Sequence, residues 1–257
     1  MKQLTHGSLF AGIGGFDLGF ERAGIKTVWQ VEIDPFCRKV LERHFPNAER
    51  FEDVRAVGVV NLKRVDIICG GFPCQDISNA GYKVGIAGKR SGLWSEMCRI
   101  ISELRPQFAV VENVAALLGR GMGRVLGDLA EIGYDAEWET IPAAHVGLPH
   151  LRERIWILAY PYKQRLEAVA SKAVLCSQTA CRWNDGHTVA MGGAEVFRHS
   201  PHGGTLVAES VLVGNRNGVP DRVDRIRSLG NAVVPQIAEW IGGRIVEAAT
   251  LNVGNRE

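Results

Sequence analysis

Several features that would assign this 257-residue chain to a membrane, secreted or fibrous class are missing from it. The sequence has no apolar run near the ~18 residues of a membrane-spanning helix, no charged-then-apolar leader, no internal repeat and no low-complexity tract. Its six cysteines follow no regular spacing, which disfavours a disulfide framework and a standard zinc site. We therefore expect free thiols in a reducing interior, no bound metal, and a cytoplasmic protein without a membrane partner.

A strong excess of either charge is also missing. The chain has 30 Lys and Arg against 28 Asp and Glu, a net charge of +2. Such a balance produces no global basic field, so a nucleic-acid partner has to be argued from local sites. The hydrophobic content of 46% and charged content of 23% are ordinary for a globular protein with one main core.

From about residue 4 to 160, short apolar runs that resemble strands alternate with longer stretches of helical spacing. This alternation predicts an α/β fold with a mostly parallel sheet. Residues 162–226 lose the rhythm and are rich in Gly, His, Ser and Asn, which indicates a small separate domain or an irregular insertion. Helical spacing returns over 235–249, with an apolar stripe that requires a core to cover.

A glycine-rich loop, Phe10 to Gly15, follows the first predicted strand and precedes a helix. Glycines at such a turn let a ligand approach the backbone. The dinucleotide fingerprint requires a third glycine where this chain has Asp17, whose charge would also oppose a pyrophosphate, so a nicotinamide or flavin enzyme is disfavoured. S-adenosylmethionine has no phosphate, and Glu32 lies about 20 residues onward, the usual distance for a carboxylate that binds ribose hydroxyls.

A thiol follows another predicted strand, because the block Gly70 to Gln75 contains Cys74 and closes the apolar run 65–69. Open α/β sheets bind ligands at the carboxyl ends of their strands. Pro73 fixes its own φ and restricts Phe72, so the sulfur of Cys74 can be aimed as a nucleophile. The block on its own is equally consistent with a structural cysteine in a turn.

These segments belong to an ordered set that resembles the motifs of DNA (cytosine-5) methyltransferases. The set comprises Ser8–Phe16, Val31–Asp34, the block ending at Gln75, Val111–Val114, Arg152–Ile155 and Leu229–Pro235. The resemblance implies an S-adenosylmethionine-dependent (Rossmann-like) methyltransferase fold, with helices on both faces of the sheet. It also implies that the last helix packs on the first motif, so that 1–161 and 227–257 form a discontinuous catalytic domain and 162–226 a small target-recognition region.

The resemblance assigns the reaction to four residues. Cys74 adds to C6 of cytosine, Glu112 acts as the acid at N3, Arg154 binds the base, and Arg152 lies near the cysteine and the DNA backbone. Glu112 follows an apolar strand, whose surroundings should raise its carboxyl pKa. The two arginines alternate along the chain, so they should project from one face. An ion pair for Glu112 and surface positions for the arginines are the alternatives.

The resemblance also assigns a pocket for S-adenosyl-L-methionine, with S-adenosyl-L-homocysteine as product. Glu32 accepts the ribose hydroxyls, and Asp53 with Val54 holds the adenine. Glu32 as a solvated strand end and Asp53 as a helix cap are the alternatives, while Asp34 is interpreted as the cap of a helix beginning at Pro35 and not as a site residue. The other residues assigned to the pocket are Phe10, Gly12, Ile13, Gly15, Pro73, Asn231 and Val233.

The partner that the resemblance implies is double-stranded DNA, from which the target nucleotide is flipped. A glycine-rich basic segment, Ser78 to Gly92, has the composition of a lid that closes on phosphates. A transfer-RNA cytosine-5 methyltransferase and a catalytically silent DNA-binding relative are the rival interpretations. A monomer from a bacterial or phage-infected cell is expected, and a cognate restriction endonuclease acting on the same site is left open as a partner.

Overall fold

The computed structural model describes residues 3–73, 92–162 and 222–254 of the chain. Within these ranges seven strands form one sheet in the order β3-β2-β1-β4-β5-β7-β6. The strands are β1 (Thr5–Leu9), β2 (Lys26–Val31), β3 (Glu49–Phe51), β4 (Ile67–Gly70), β5 (Phe108–Val114), β6 (Tyr134–Ile141) and β7 (Arg154–Pro161). All neighbouring pairs are parallel except those of β7, which runs antiparallel to β5 and β6. The predicted mostly parallel sheet is confirmed.

Seven helices accompany the sheet in the same ranges. They are α1 (Gly15–Arg22), α2 (Pro35–His44), α3 (Leu93–Leu104), α4 (Leu117–Arg120), α5 (Met122–Glu131), α6 (Arg222–Asn231) and α7 (Pro235–Gly254). Two short 3-10 turns cover Val54–Ala56 and Ala143–Val146. No described helix combines the length and the apolar content that are needed to cross a membrane.

Both faces of the sheet are covered, as the resemblance predicted. Successive residues of β5 point to opposite faces, so Phe108 and Val110 join one buried cluster while Ala109 and Val111 join the other. The first cluster is completed by apolar side chains of α1 and α7, and the second by those of α3 and α5.

The last described helix packs on the first one, which confirms the predicted contact between the two ends of the chain. A Cβ atom on Gly19 of α1 would lie 2.4 Å from the carbonyl oxygen of Pro235 and 2.6 Å from the Cβ of Ala238. The division of the chain at 161 and 226 stays a prediction, because residues 163–221 lie outside the described ranges. The predicted boundary at 226 falls inside α6.

Candidate active site

A cavity of about 460 Å³ opens at the carboxyl ends of β1, β2, β4 and β5. Its size is typical of small-molecule pockets, and its place at strand ends is the one expected of open α/β sheets. The antiparallel β7 begins at this same edge, so its first residue also reaches the cavity. Eight of the predicted site residues line it: Phe10, Gly12, Glu32, Pro73, Glu112, Arg152, Arg154 and Asn231.

The glycine-rich loop enters the cavity with an unusual backbone. Phe10, Gly12 and Gly14 have φ values of 54°, 57° and 88°, in the left-handed region. That region is uncommon for a non-glycine residue such as Phe10. Gly14 is the N-cap of α1 and does not line the cavity, since a Cβ there would lie 2.6 Å from the ring of Phe45. Gly12 lines the cavity and presents backbone to it instead of a side chain, which lets a ligand approach closely.

Glu32 follows β2 and is fixed by two backbone donors. The Gly12 N–H donates to Glu32 Oε2 at 2.7 Å, and the Asp34 N–H donates to Glu32 Oε1 at 2.8 Å. Each carboxylate oxygen has a further lone pair with which to accept a hydrogen bond. The half-buried carboxylate is thus oriented and not simply solvated. Its remaining lone pairs can accept hydrogen bonds from ligand hydroxyls such as those of an adenosine moiety.

Asp34 has the capping role that the sequence predicts. Its Oδ1 accepts hydrogen bonds from the N–H groups of Phe36 at 2.8 Å and Cys37 at 3.2 Å, at the start of α2. It also lines the cavity, where its Oδ2 lies 2.5 Å from Arg227 Nη2 of α6. No local sequence pattern predicts this ion pair, because the partners are 193 positions apart.

Five predicted cofactor residues do not line the cavity: Ile13, Gly15, Asp53, Val54 and Val233. Gly15 lies against the C-terminal segment, since a Cβ there would be 2.4 Å from the Val233 carbonyl oxygen. Asp53 caps the 3-10 turn through the Arg55 N–H at 2.9 Å, and its hydrogen bonds with Arg55 lower its pKa. Val54 is in the core. Their contacts with a cofactor stay predictions.

Asp17 does not lie at the place that the sequence predicts. It is fully buried on the side of α1 that packs on the sheet, does not line the cavity, and accepts a hydrogen bond from Ser8 Oγ at 2.8 Å. Burial raises its pKa to about 6. The prediction that its charge occupies the place of a pyrophosphate is therefore wrong, because this carboxyl faces the sheet. Only the missing glycine still argues against a dinucleotide.

Glu112 is the most perturbed acid in the cavity. Burial raises its pKa from 4.5 to about 7, against the opposing charges of Arg154 and Arg152. Arg154 Nε lies 3.2 Å from Glu112 Oε1, so the raised pKa and the alternative ion pair occur together. A Cβ on Gly71 would be 2.9 Å from Glu112 Oε2, so glycine lets the carboxyl sit at the end of β4.

The two arginines reach the cavity by different routes. Arg154 is the first residue of β7, whereas Arg152 precedes the strand with a left-handed φ of 30°. The predicted strand alternation therefore does not apply to Arg152, although both side chains line the cavity. Arg152 donates through Nη1 to the Gly230 carbonyl at 2.8 Å and through Nη2 to the Ala232 carbonyl at 2.7 Å.

The predicted nucleophile Cys74 and residues 78–91 of the predicted lid lie outside the described residues. Pro73, which precedes the cysteine in the chain, lines the cavity beside Phe72. Across 3–73, 92–162 and 222–254, no group of three or more His, Cys, Asp or Glu side chains could hold a metal ion.

Comparisons with known proteins identify the relatives of this chain. The model of the family "C-5 cytosine-specific DNA methylase" matches residues 4–183. The type II methyltransferase M2.BsuMI of Bacillus subtilis strain 168 is 35% identical over 173 residues, which cover 64% of this chain and 44% of the relative. M1.ScrFI of Lactococcus lactis subsp. cremoris is 39% identical over 160 residues, which cover 60% of this chain and 41% of the relative. The chain thus spans less than half the length of these two relatives.

Solved structures show the same fold. A putative DNA modification methyltransferase encoded within an E. coli prophage aligns with a TM-score of 0.54 and 26% identity, covering 63% of this chain and 48% of that one. A Spodoptera frugiperda DNMT2 mutant aligns with a TM-score of 0.53 and 20% identity, covering 62% of this chain and 50% of that one. Because the family model accounts for well over half of the residues, the chain belongs to the C-5 cytosine-specific DNA methylase family.

Proposed function

We propose that the chain is a DNA (cytosine-5-)-methyltransferase that moves a methyl group from S-adenosyl-L-methionine to C5 of a flipped cytosine in duplex DNA. The observation that carries this proposal is Glu112, a buried acid with a pKa of about 7 that lies 3.2 Å from Arg154 in the wall of a cavity also lined by Gly12 of the glycine loop and by Glu32. The names of the relatives, which are type II methyltransferases, favour DNA as the substrate.

The chemistry starts at the base, because cytosine C5 is a poor nucleophile while the ring is aromatic. In the proposed step the thiolate of Cys74 forms a bond to C6, and the displaced electron pair moves toward N3 and O2. Glu112 gives its proton to N3, which neutralises the developing charge. A pKa near 7 supports this role, since much of the carboxyl is protonated at neutral pH. Arg154 then contacts O2.

The adduct activates C5, and the remaining steps restore the ring. S-adenosyl-L-methionine supplies the electrophilic methyl group on its sulfonium sulfur. Once C5 carries the methyl group, N3 returns its proton to Glu112, water takes the C5 proton, and the electron pair of that C–H bond expels the Cys74 thiolate from C6, which rebuilds the aromatic base. The same residue must add and leave, and a thiolate is suited to both steps.

The methyl donor would be held by other residues that line the same cavity. Gly12 presents its backbone, Glu32 accepts hydrogen bonds from the ribose hydroxyls, and Phe10, Pro73 and Asn231 also line the cavity. The predicted contacts of the five residues that do not line the cavity belong to this proposal as well.

We further propose that the enzyme acts as a monomer, since one flipped base requires one pocket, and that a restriction endonuclease for the same DNA site is a candidate partner.

The test is methyl transfer by the purified chain. Labelled S-adenosyl-L-methionine is supplied with duplex DNA of mixed sequence or with transfer RNA, and Cys74→Ser is the control. Label in duplex DNA, and covalent trapping of 5-fluorocytosine duplexes by the wild type alone, are expected. Label in transfer RNA alone would favour the RNA enzyme, and DNA binding without transfer would favour the silent relative. Bisulfite sequencing of DNA from expressing cells would then give the sequence context.

A further inference from the structure

The guanidinium of Arg152 joins two distant parts of the chain. Its two terminal nitrogens donate to the carbonyl oxygens of Gly230 and Ala232 at 2.8 and 2.7 Å, across 78 and 80 positions of sequence. Hydrogen bonds from a charged donor are stronger than neutral ones, and the planar fork of arginine fixes the direction of both. Arg152 therefore holds a short backbone segment at two points.

These carbonyls belong to the C-terminal end of α6 and the residue that follows it. The last carbonyls of a helix have no intrahelical partner, and a cation at that end is favoured by the helix dipole. Asn231 lies between the two held residues and lines the cavity. Arg152 thus satisfies a helix end and, in doing so, fixes the position of a cavity-lining residue.

The same segment continues onto the glycine loop. Val233 follows Ala232, and its carbonyl oxygen is 2.4 Å from the place of a Cβ on Gly15, at the start of α1. The segment is consequently fixed on one side by Arg152 and on the other by the backbone of α1. A displacement of 230–233 would move both Asn231 and the chain that covers the glycine loop.

The backbone of Arg152 supports an aimed side chain. Its φ of 30° lies in the left-handed region, which a non-glycine residue adopts only where the surrounding structure holds it there. Arg154, two residues later, is an ordinary first strand residue that faces Glu112. The two arginines of the Arg-Glu-Arg triplet therefore have different bonded partners, although the charges of both act on Glu112.

We propose that Arg152 is a positioning residue of the methyl-donor pocket, which holds the Gly230–Ala232 segment, and with it Asn231, in place for the donor. This inference rests on the proposed function. It differs from the role near the cysteine and the DNA backbone that the family resemblance assigns to Arg152. The structure points to the donor as the ligand whose binding should depend on this side chain.

The first test is the binding of S-adenosyl-L-homocysteine without DNA, measured by calorimetry. Arg152→Met should weaken binding about tenfold, since it removes charge-assisted hydrogen bonds. Arg152→Lys should weaken it about threefold, because lysine keeps the charge but not the fork. Arg244→Met is the matched control, since it removes an arginine of α7 whose partner is Glu247 and should leave the affinity unchanged. Hydrogen exchange should be faster over 229–235 in Arg152→Met and unchanged in the control.

The second test separates positioning from chemistry. In Arg152→Met the KM for S-adenosyl-L-methionine should rise while the single-turnover rate at saturating donor and DNA falls less than threefold. Unchanged binding of S-adenosyl-L-homocysteine together with unchanged hydrogen exchange over 229–235 would overturn the inference. A lower single-turnover rate with an unchanged KM would also overturn it and return Arg152 to the base or the DNA backbone. If the wild type itself binds no S-adenosyl-L-homocysteine, the proposed function fails instead, so the two failures are distinguishable.

Discussion

At the scale of single residues, the proton on Glu112 is controlled by opposing influences. Burial of the carboxyl at the edge of the sheet favours the neutral form, whereas the charges of Arg154 and Arg152 favour the anion. Burial is the larger effect, so the pKa rises from 4.5 to about 7. An acid with this pKa is protonated below pH 7 and loses its proton as the pH rises through that value.

The variant Glu112→Gln should lower the single-turnover rate of methyl transfer about 10²–10⁴-fold, because the amide cannot transfer a proton to N3. In the wild type the rate should fall as the pH rises above about 7, as the acid form is lost. The residual rate of Glu112→Gln should not fall over this range. It should depend on pH only through the fraction of Cys74 that is ionised to the thiolate. Rates between pH 6 and 9 check this, with the exposed Glu247→Gln as control. A matching alkaline fall in Glu112→Gln would remove Glu112 from the acid role.

Asp17 should make stability depend on pH. Its pKa of about 6 in the folded state, against 3.8, means that folding favours the protonated form. Its contribution to stability is present below pH 4 and is lost as the pH rises through about 6. The loss corresponds to about 3 kcal/mol. In Asp17→Asn the decrease in unfolding free energy from pH 4 to 8 should be smaller by about this amount in urea titrations. The substitution Asp224→Asn, at a half-exposed carboxylate of α6, should not change it, and equal decreases in all three proteins would contradict the prediction.

The residue positions that the sequence could predict are those marked by a local pattern. Glu32 ends a strand at the right distance from the glycine loop, and Glu112 ends an apolar run, so both were placed correctly in the cavity. The partners of Arg152 were not predictable, because no local pattern relates it to carbonyl groups 78 and 80 positions away. The burial of Asp17 had a weak signal, since it lies one helical turn before the buried Phe20.

At the scale of elements, the crossing of α1 and α7 depends on glycine. The carbonyl oxygen of Pro235 and the Cβ of Ala238 occupy the space that a side chain on Gly19 would need. Neither atom belongs to a flexible side-chain end, so the helices would have to separate. Gly243 of α7, by contrast, has nothing within 4 Å of its Cβ position.

Substituting each glycine by alanine should therefore give opposite results. Gly19→Ala should lower the free energy of unfolding by about 1–3 kcal/mol, the usual cost of overpacking. Gly243→Ala should raise it by about 0.5–1 kcal/mol, because alanine favours the helix. Urea denaturation of both variants measures this. A destabilisation of equal size at the two sites would show that close packing of α1 on α7 is not the cause.

Elements with continuous apolar runs were predictable, and most of those without such a run were not. Strands β2, β4, β5 and β7 contain apolar runs, whereas β1 has Leu9 as its one large apolar residue and is indicated by the glycine-rich loop that follows it. Strand β6 was missed although its sequence YDAEWETI alternates apolar and acidic residues from Tyr134 to Glu139, the pattern of a half-buried strand; it contains no continuous apolar run. It lies at the edge of the sheet with β7 as its one neighbour there, a place where charged side chains are common. β3 and α4, with three and four residues, are too short to show a period.

At the scale of the whole molecule, one face of the sheet depends on both ends of the described chain. Phe16 and Phe20 of α1 share a buried cluster with Ile237, Ile241 and Ile245 of α7. The first strand and the glycine loop therefore rely on a helix that the chain supplies more than 200 positions later. An α/β domain closed in this way should unfold as one cooperative unit.

The variant Ile241→Ala tests that dependence. Ile241 is fully buried, so the truncation should cost about 2–5 kcal/mol of unfolding free energy. Arg244→Ala, on the same helix but with an exposed partner, should cost less than about 0.5 kcal/mol. If the two ends form one unit, hydrogen exchange in Ile241→Ala should accelerate over Thr5–Leu9 and Gly15–Arg22 as much as over α7, because all three open together. Acceleration confined to α7 would mean that this helix unfolds separately and that the glycine loop keeps its structure without it.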